Sequence, residues 1–99
     1  MNASQKLDTL KDAYGDDTAL DLVLDKLLDA RLSECRLRLE RYERALREYE
    51  NHYAMDSKTF YQRFEAGALG DAMDFFDWAG LYELYQDVQH RVQRLEQAL

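Results

Sequence analysis

The sequence predicts an all-α fold: a long antiparallel helical hairpin, coiled-coil-like, with a short helix at the elbow and another at the N-terminus. Three observations lead there. Two long stretches place apolar residues at alternating steps of four and three, the spacing of a coiled-coil seam. The 99 residues include no proline and four glycines, so little interrupts a long helix. Between the seams, from Tyr49 to Tyr85, lie ten of the twelve aromatic residues, broken by Gly67 and Gly70.

The elements follow in order along a single domain, residues 1–99. A short helix is expected over 5–14, with Ser4 as N-cap, Leu7, Leu10 and Tyr14 on one face and Gly15 just past its end. Asp16, Asp17 and Thr18 offer caps and acids for the next start. A long helix is expected over 18–53, its seam running Leu28, Leu32, Cys35, Leu39, Tyr42, Leu46, Tyr49, Tyr53. On its flanks Glu34→Arg38, Glu40→Arg44 and Glu43→Arg47 are i,i+4 pairs in the favourable order, each contributing a few tenths of a kcal/mol. Asp56 or Ser57 then caps a short helix over 57–66 with Phe60, Tyr61 and Phe64 in its apolar set. Gly67 ends it, and Gly70 loosens the chain before a last helix over 72–98. The seam of that helix is Trp78, Leu81, Tyr85, Val88, Val92, Leu95, Leu99.

Counting along the hairpin exposes a mismatch. With Tyr53 near Trp78, Leu99 reaches back only to about Leu32. Leu20, Leu22, Val23, Leu24, Leu27 and Leu28 are left without a partner in the hairpin. Either the N-terminal helix folds back over them or a second chain does. Because ALDLVLDKLL is apolar on more than one side, a homodimer is expected, with Leu20, Val23, Leu24, Leu27 and Leu28 as its contact.

Composition narrows the function classes. With 46 % apolar and 33 % charged residues the chain is neither disordered nor membrane-spanning. The single cysteine and the lack of a basic-then-apolar leader fit a cytoplasmic protein. The net charge is −7 and the acids sit mainly in the flanks: seven Asp against three Lys up to residue 29, eight acids against four bases from residue 55. A nucleic-acid partner is therefore disfavoured and a basic protein favoured. The arginines at 31, 36, 38, 41, 44 and 47 divide to both sides of the seam and alternate with Glu, as on a solvated coiled-coil flank. RNA binding through them is a minor alternative with a steep salt dependence.

Catalytic chemistry has no foothold. No nucleophile–base pair, phosphate loop or ligand set stands out, so neither enzyme activity nor a cofactor or metal is expected. His52 and His90 read as exposed helix residues, and Cys35, inside the seam, as a small buried hydrophobe. Asp71, Asp74 and Asp77 suit the positive end of the last helix. Asp74, however, falls on the core line when the seam is stepped back from Trp78. A buried carboxylate there needs a hydrogen bond or a cation, so it is either a cap or the acceptor of a partner's basic side chain.

The elbow itself has two readings. Phe75, Phe76, Trp78, Leu81, Tyr82, Leu84 and Tyr85 cover almost the whole circumference of the last helix. The long helix covers one side and the short helix another, with Gly80 permitting close approach. The remaining aromatics are either corner core or an exposed hot spot rimmed by six acids, since no Lys or Arg occurs from Glu65 to Gln89.

A long charged helix ending in Tyr53 and Met55, then Phe60, Phe64 and Glu65, then Gly67 and Gly70, then Asp71, Asp74, Phe75, Phe76 and Trp78, resembles small helical proteins of bacterial and archaeal two-gene toxin–antitoxin modules. The resemblance covers about residues 30 to 95 and does not extend to the first 29. It implies an antitoxin-like protein that binds a cognate toxin directly, with no recognisable DNA-binding module attached. On that expectation Phe75, Phe76, Trp78 and Tyr82 anchor the partner, and Asp71, Asp74 and Asp77 pair with its bases. The alternative is a coiled-coil dimerisation scaffold without neutralising activity.

Overall fold

A computed structural model describes residues 1–15 and 18–99. Four helices follow one another: α1 (Ala3–Tyr14), α2 (Ala19–Tyr53), α3 (Ser57–Glu65) and α4 (Met73–Ala98). No strand occurs among the described residues, and no helix there is long and apolar enough to cross a membrane. α2 and α4 form the antiparallel pair, and α3 packs between them at the closed end.

The predicted seams are the buried lines. On α2, Leu32, Cys35 and Leu46 are buried and Leu28, Leu39, Tyr42, Tyr49 and Tyr53 half-buried. On α4, Trp78, Val88 and Val92 are buried and Leu81, Tyr85 and Leu95 half-buried; Leu99, last in the predicted seam, stays 51 % exposed. Two apolar clusters result. Near the open end Leu32 and Cys35 meet Val88 and Val92, with Leu95 against them. At the elbow Leu46, Phe60, Trp78 and Ala79 form the second, surrounded by the other elbow aromatics. Cys35, free and buried, is the hydrophobe its spacing implies.

Register is set at both ends. Tyr53 stacks on Trp78 with ring centroids 5.6 Å apart, and Arg36 pairs with Glu96 at 3.2 Å. Helix lengths account for the overhang: at 1.5 Å per residue α2 spans about 52 Å and α4 about 39 Å. The molecule is accordingly elongated, 58 × 24 × 18 Å, with a radius of gyration of 19.4 Å. A compact domain of this length would have about 13 Å.

Several local expectations change. α1 starts earlier than the Ser4 cap implied. Asn2 is the N-cap, accepting from the Gln5 N–H while the Gln5 side chain accepts from the Asn2 N–H, both at 2.9 Å. This reciprocal pair satisfies two orphan donors where Ser4 would satisfy one. Asp16 and Asp17 lie outside the described residues, and Thr18 flanks α2 without a side-chain capping bond. Glu34 pairs with Arg31 at 2.9 Å rather than with Arg38. Among the described residues the ion pairs are this one and Arg36–Glu96, so the other i,i+4 pairs do not close. α1 does fold back, touching α2 and no other helix, with Leu7 half-buried and Leu20 buried. None of its residues is buried, so it is a thin cover.

The elbow is closed by capping chemistry. α2 ends with Ala54 in the left-handed region, φ 50°. Asp56 accepts from the Thr59 N–H at 2.7 Å as the α3 N-cap. At the far end of α3, Gly67 (φ 70°) lets the Ala68 N–H reach the Arg63 carbonyl while its own N–H reaches that of Phe64. This double return is a Schellman turn, which stops the helix and redirects the chain.

Candidate partner-binding surface at the elbow

Trp78 is the hub of the corner, with 0 % of its surface exposed. Phe60 stacks on it at 3.7 Å and 5°, while Tyr49 and Tyr53 stack at 5.6 Å. A buried indole N–H needs an acceptor, and Ser57 Oγ supplies it at 2.9 Å. The Ser57 N–H in turn donates to Glu50 Oε2 at 2.8 Å. Thus α4, α3 and α2 are joined through one serine. This chain of contacts was not legible in the sequence, where Ser57 is only one of two cap candidates.

The expected partner-binding residues separate into three groups. Trp78 is a core residue that no partner can touch in the folded protein, so its place as an anchor is withdrawn. Phe75 and Tyr82 are half-buried: Phe75 packs on Tyr53 and Phe60, at 5.3 and 5.8 Å, and Tyr82 on Tyr61 at 5.1 Å. Phe76 is 52 % exposed and makes an edge-to-face contact with Phe64 at 5.5 Å. Asp71, Asp74 and Asp77 are exposed.

Asp74 is not the buried acid its seam position suggested. It sits in the first turn of α4, exposed, and accepts from the Tyr53 hydroxyl at 2.6 Å. α2 ends at Tyr53, level with Trp78, so no further turn of it covers the turn of α4 that carries Asp74, and only the Tyr53 side chain reaches that carboxylate. The hydrogen bond to Asp74, with burial second, holds the Tyr53 hydroxyl above its ordinary 10.0. Across the corner the Tyr61 hydroxyl donates to Glu83 at 2.6 Å, and the bonds to Glu83 and Glu65 push its pKa up strongly. Each tyrosine therefore ties a neighbouring helix to α4 through a carboxylate.

Gly80 does not serve close packing. A Cβ built there meets nothing within 4 Å. The glycine lies on the outer line of α4, where Met73, Phe76, Gly80 and Leu84 advance by three, four and four residues. Met73 is 74 % and Leu84 51 % exposed, so this line is an apolar stripe open to solvent with a notch at its centre. Asp77 lies along one side of it and Glu83 along the other, and Asp87 continues the line beyond Leu84, all exposed. Met73 and Leu84 were missed as site residues, although their spacing from Phe76 marks the same face. A hollow of about 440 Å³ adjoins the corner, lined by Ala45, Glu48, Tyr49, His52, Asp74 and Leu81. Burial first, then Asp77, Asp74 and Glu48, raise the Tyr49 pKa there.

At the other end, the expected dimer residues also divide. Leu20 is buried and Leu24 and Leu28 half-buried, whereas Val23 and Leu27 are 45 % and 63 % exposed.

No protein-family model matches the chain, and neither a curated protein nor a solved structure does.

Proposed function

We propose that the chain is an antitoxin-like protein that neutralises a cognate toxin in the cytoplasm by binding it directly. The observation that carries this reading is the Met73–Phe76–Gly80–Leu84 stripe, apolar, exposed at its three side chains and flanked by carboxylates on both sides. Apolar anchors inside a charged rim are what protein interfaces use for affinity and orientation. A rim of one sign selects a basic partner surface, and proteins acting on RNA or nucleotides carry such surfaces. The toxin identity of the partner rests on the resemblance of residues 30 to 95 to antitoxin-like proteins. Phe76 is the anchor and Asp71, Asp74 and Asp77 pair with the partner's bases, while Phe75 and Tyr82, packed into the corner on the other side of α4, hold the helix in place behind it.

The test is to co-express the chain with the protein encoded beside it and to purify the two together. A stoichiometric complex and restored growth are expected. Phe76→Ala should abolish both at unchanged melting temperature. Absence of a complex together with undiminished toxicity of the neighbour would sink the proposal. The competing reading, a dimerisation scaffold with no neutralising activity, draws on the elongated shape and expects Phe76→Ala to change nothing in cells.

A further inference from the structure

The outer face of α2 carries a second apolar line. Val23, Leu27, Ala30 and Leu37 advance by four, three and seven residues, with Glu34 on the same line between the last two. At 100° per residue this line lies more than a quarter turn from Leu28, Leu32, Cys35 and Leu39, which face α4. The hairpin therefore cannot cover it. Val23 is 45 %, Leu27 63 % and Leu37 58 % exposed, and Ala30 is exposed as well. α1, the other helix at this end, leaves them open.

We infer that this line is the seam of a two-fold dimer in which α2 of one copy lies antiparallel to α2 of a second, the two crossing at Ala30. The inference is independent of the proposed function, which rests on the opposite end of the other long helix. Antiparallel pairing about Ala30 sets Val23 of each copy against Leu37 of its partner, and Leu27 against the stretch around Ser33. The small side chain at the axis lets the two backbones approach. The same register sets Lys26 against Glu34. Lys26 has no ion-pair partner among the described residues, and Glu34 engages only one carboxylate oxygen, with Arg31. Two-fold symmetry makes each of these contacts twice. A parallel pair in register would instead face Glu34 with Glu34 and Lys26 with Lys26, setting like charges together. A foreign partner would need to reproduce both the spacing and the charge order that a second copy already carries.

The experiment uses the full chain. Sedimentation over a range of concentrations should show a monomer–dimer equilibrium. Under a mild thiol oxidant Ala30→Cys should link to itself. Val23→Cys and Leu37→Cys should link only when mixed. The parent chain serves as the control, because Cys35 is buried. Leu27→Asp should weaken dimerisation by about tenfold or more while leaving helicity intact. Lys26→Glu should also weaken it, and the exchanged pair Lys26→Glu with Glu34→Lys should restore it. A chain that stays monomeric at every concentration overturns the inference. So does a dimer that ignores Leu27→Asp and Ala30→Cys, or one abolished by Phe76→Asp instead.

Discussion

Ser57 occupies a position that any small residue would fit sterically, yet its hydroxyl is the acceptor for the one buried indole N–H. Removing it leaves that donor without its acceptor beside Phe60, Tyr49 and Tyr53. Ser57→Ala is expected to cost about 1–3 kcal/mol, the range for an unsatisfied buried polar group, and thermal melts would show it. Ser57→Thr, which keeps the hydroxyl, should lose less. Ala54 presents the reverse case. It holds a left-handed conformation, φ 50°, that suits glycine better than any residue with a Cβ. Ala54→Gly should therefore stabilise the chain by about 1 kcal/mol, the typical cost of such a conformation, with no change in the contacts around it. An unchanged or lower melting temperature would show that the turn is not strained.

At the level of single helices, α4 is asymmetric in what its faces do. One face packs on α2, a second on α3, and the third presents the notched apolar stripe. Glycine inside a helix is less favourable than alanine by about 1 kcal/mol, and nothing in the fold occupies the space beside Gly80. Gly80→Ala is thus expected to raise the melting temperature and, by filling the notch, to weaken the proposed complex. A variant gaining both stability and affinity would argue against the notch. How far these elements were legible follows from what each signal depends on. The heptad lines needed only local periodicity, and Leu28 to Tyr53 and Trp78 to Leu95 were read correctly from it. Asp74 departs from the seam reading because the same arithmetic, extended past Trp78, assumes a further turn of α2, and α2 ends at Tyr53. Gly80 was misread because a glycine signals permitted approach but not whether anything approaches. Trp78 has the look of an anchor in the sequence, since its burial depends on Phe60, Tyr49 and Tyr53 converging from two other helices, which no single stretch reveals.

Taken as a whole, the molecule joins a well-knit elbow to a thinly covered far end. Its response to pH should reflect where carboxylates have been recruited. Tyr53 and Tyr61 donate to carboxylates, and burial raises Tyr49 and Tyr85, so all four ionise in the folded chain above their ordinary 10.0. A group whose folded pKa is raised contributes fully below its unfolded value, and that contribution disappears as the pH climbs through the folded value. Stability is therefore expected to fall above pH 10. Asp56 runs the other way: the Thr59 N–H holds it below its ordinary 3.8, so its contribution is present above that pH and is lost on further acidification. Melting temperatures from acid to alkaline pH should show a plateau bounded by these two declines. Replacing Tyr61 by Phe should soften the alkaline one. At the thin end, brief protease treatment should trim α1 first, since it buries none of its residues.

The placement of the single tryptophan has a practical corollary. Its ring is sealed from solvent between three other aromatics contributed by α2 and α3. Its emission should be blue-shifted whenever the corner is assembled and move to the red only when the corner comes apart. Ligands resting on the outside of α4 or α2 leave it silent. The chain thus carries an intrinsic optical gauge of its own integrity. Any substitution on either proposed contact face can be sorted, in one spectrum, into those that break the protein and those that only break its company.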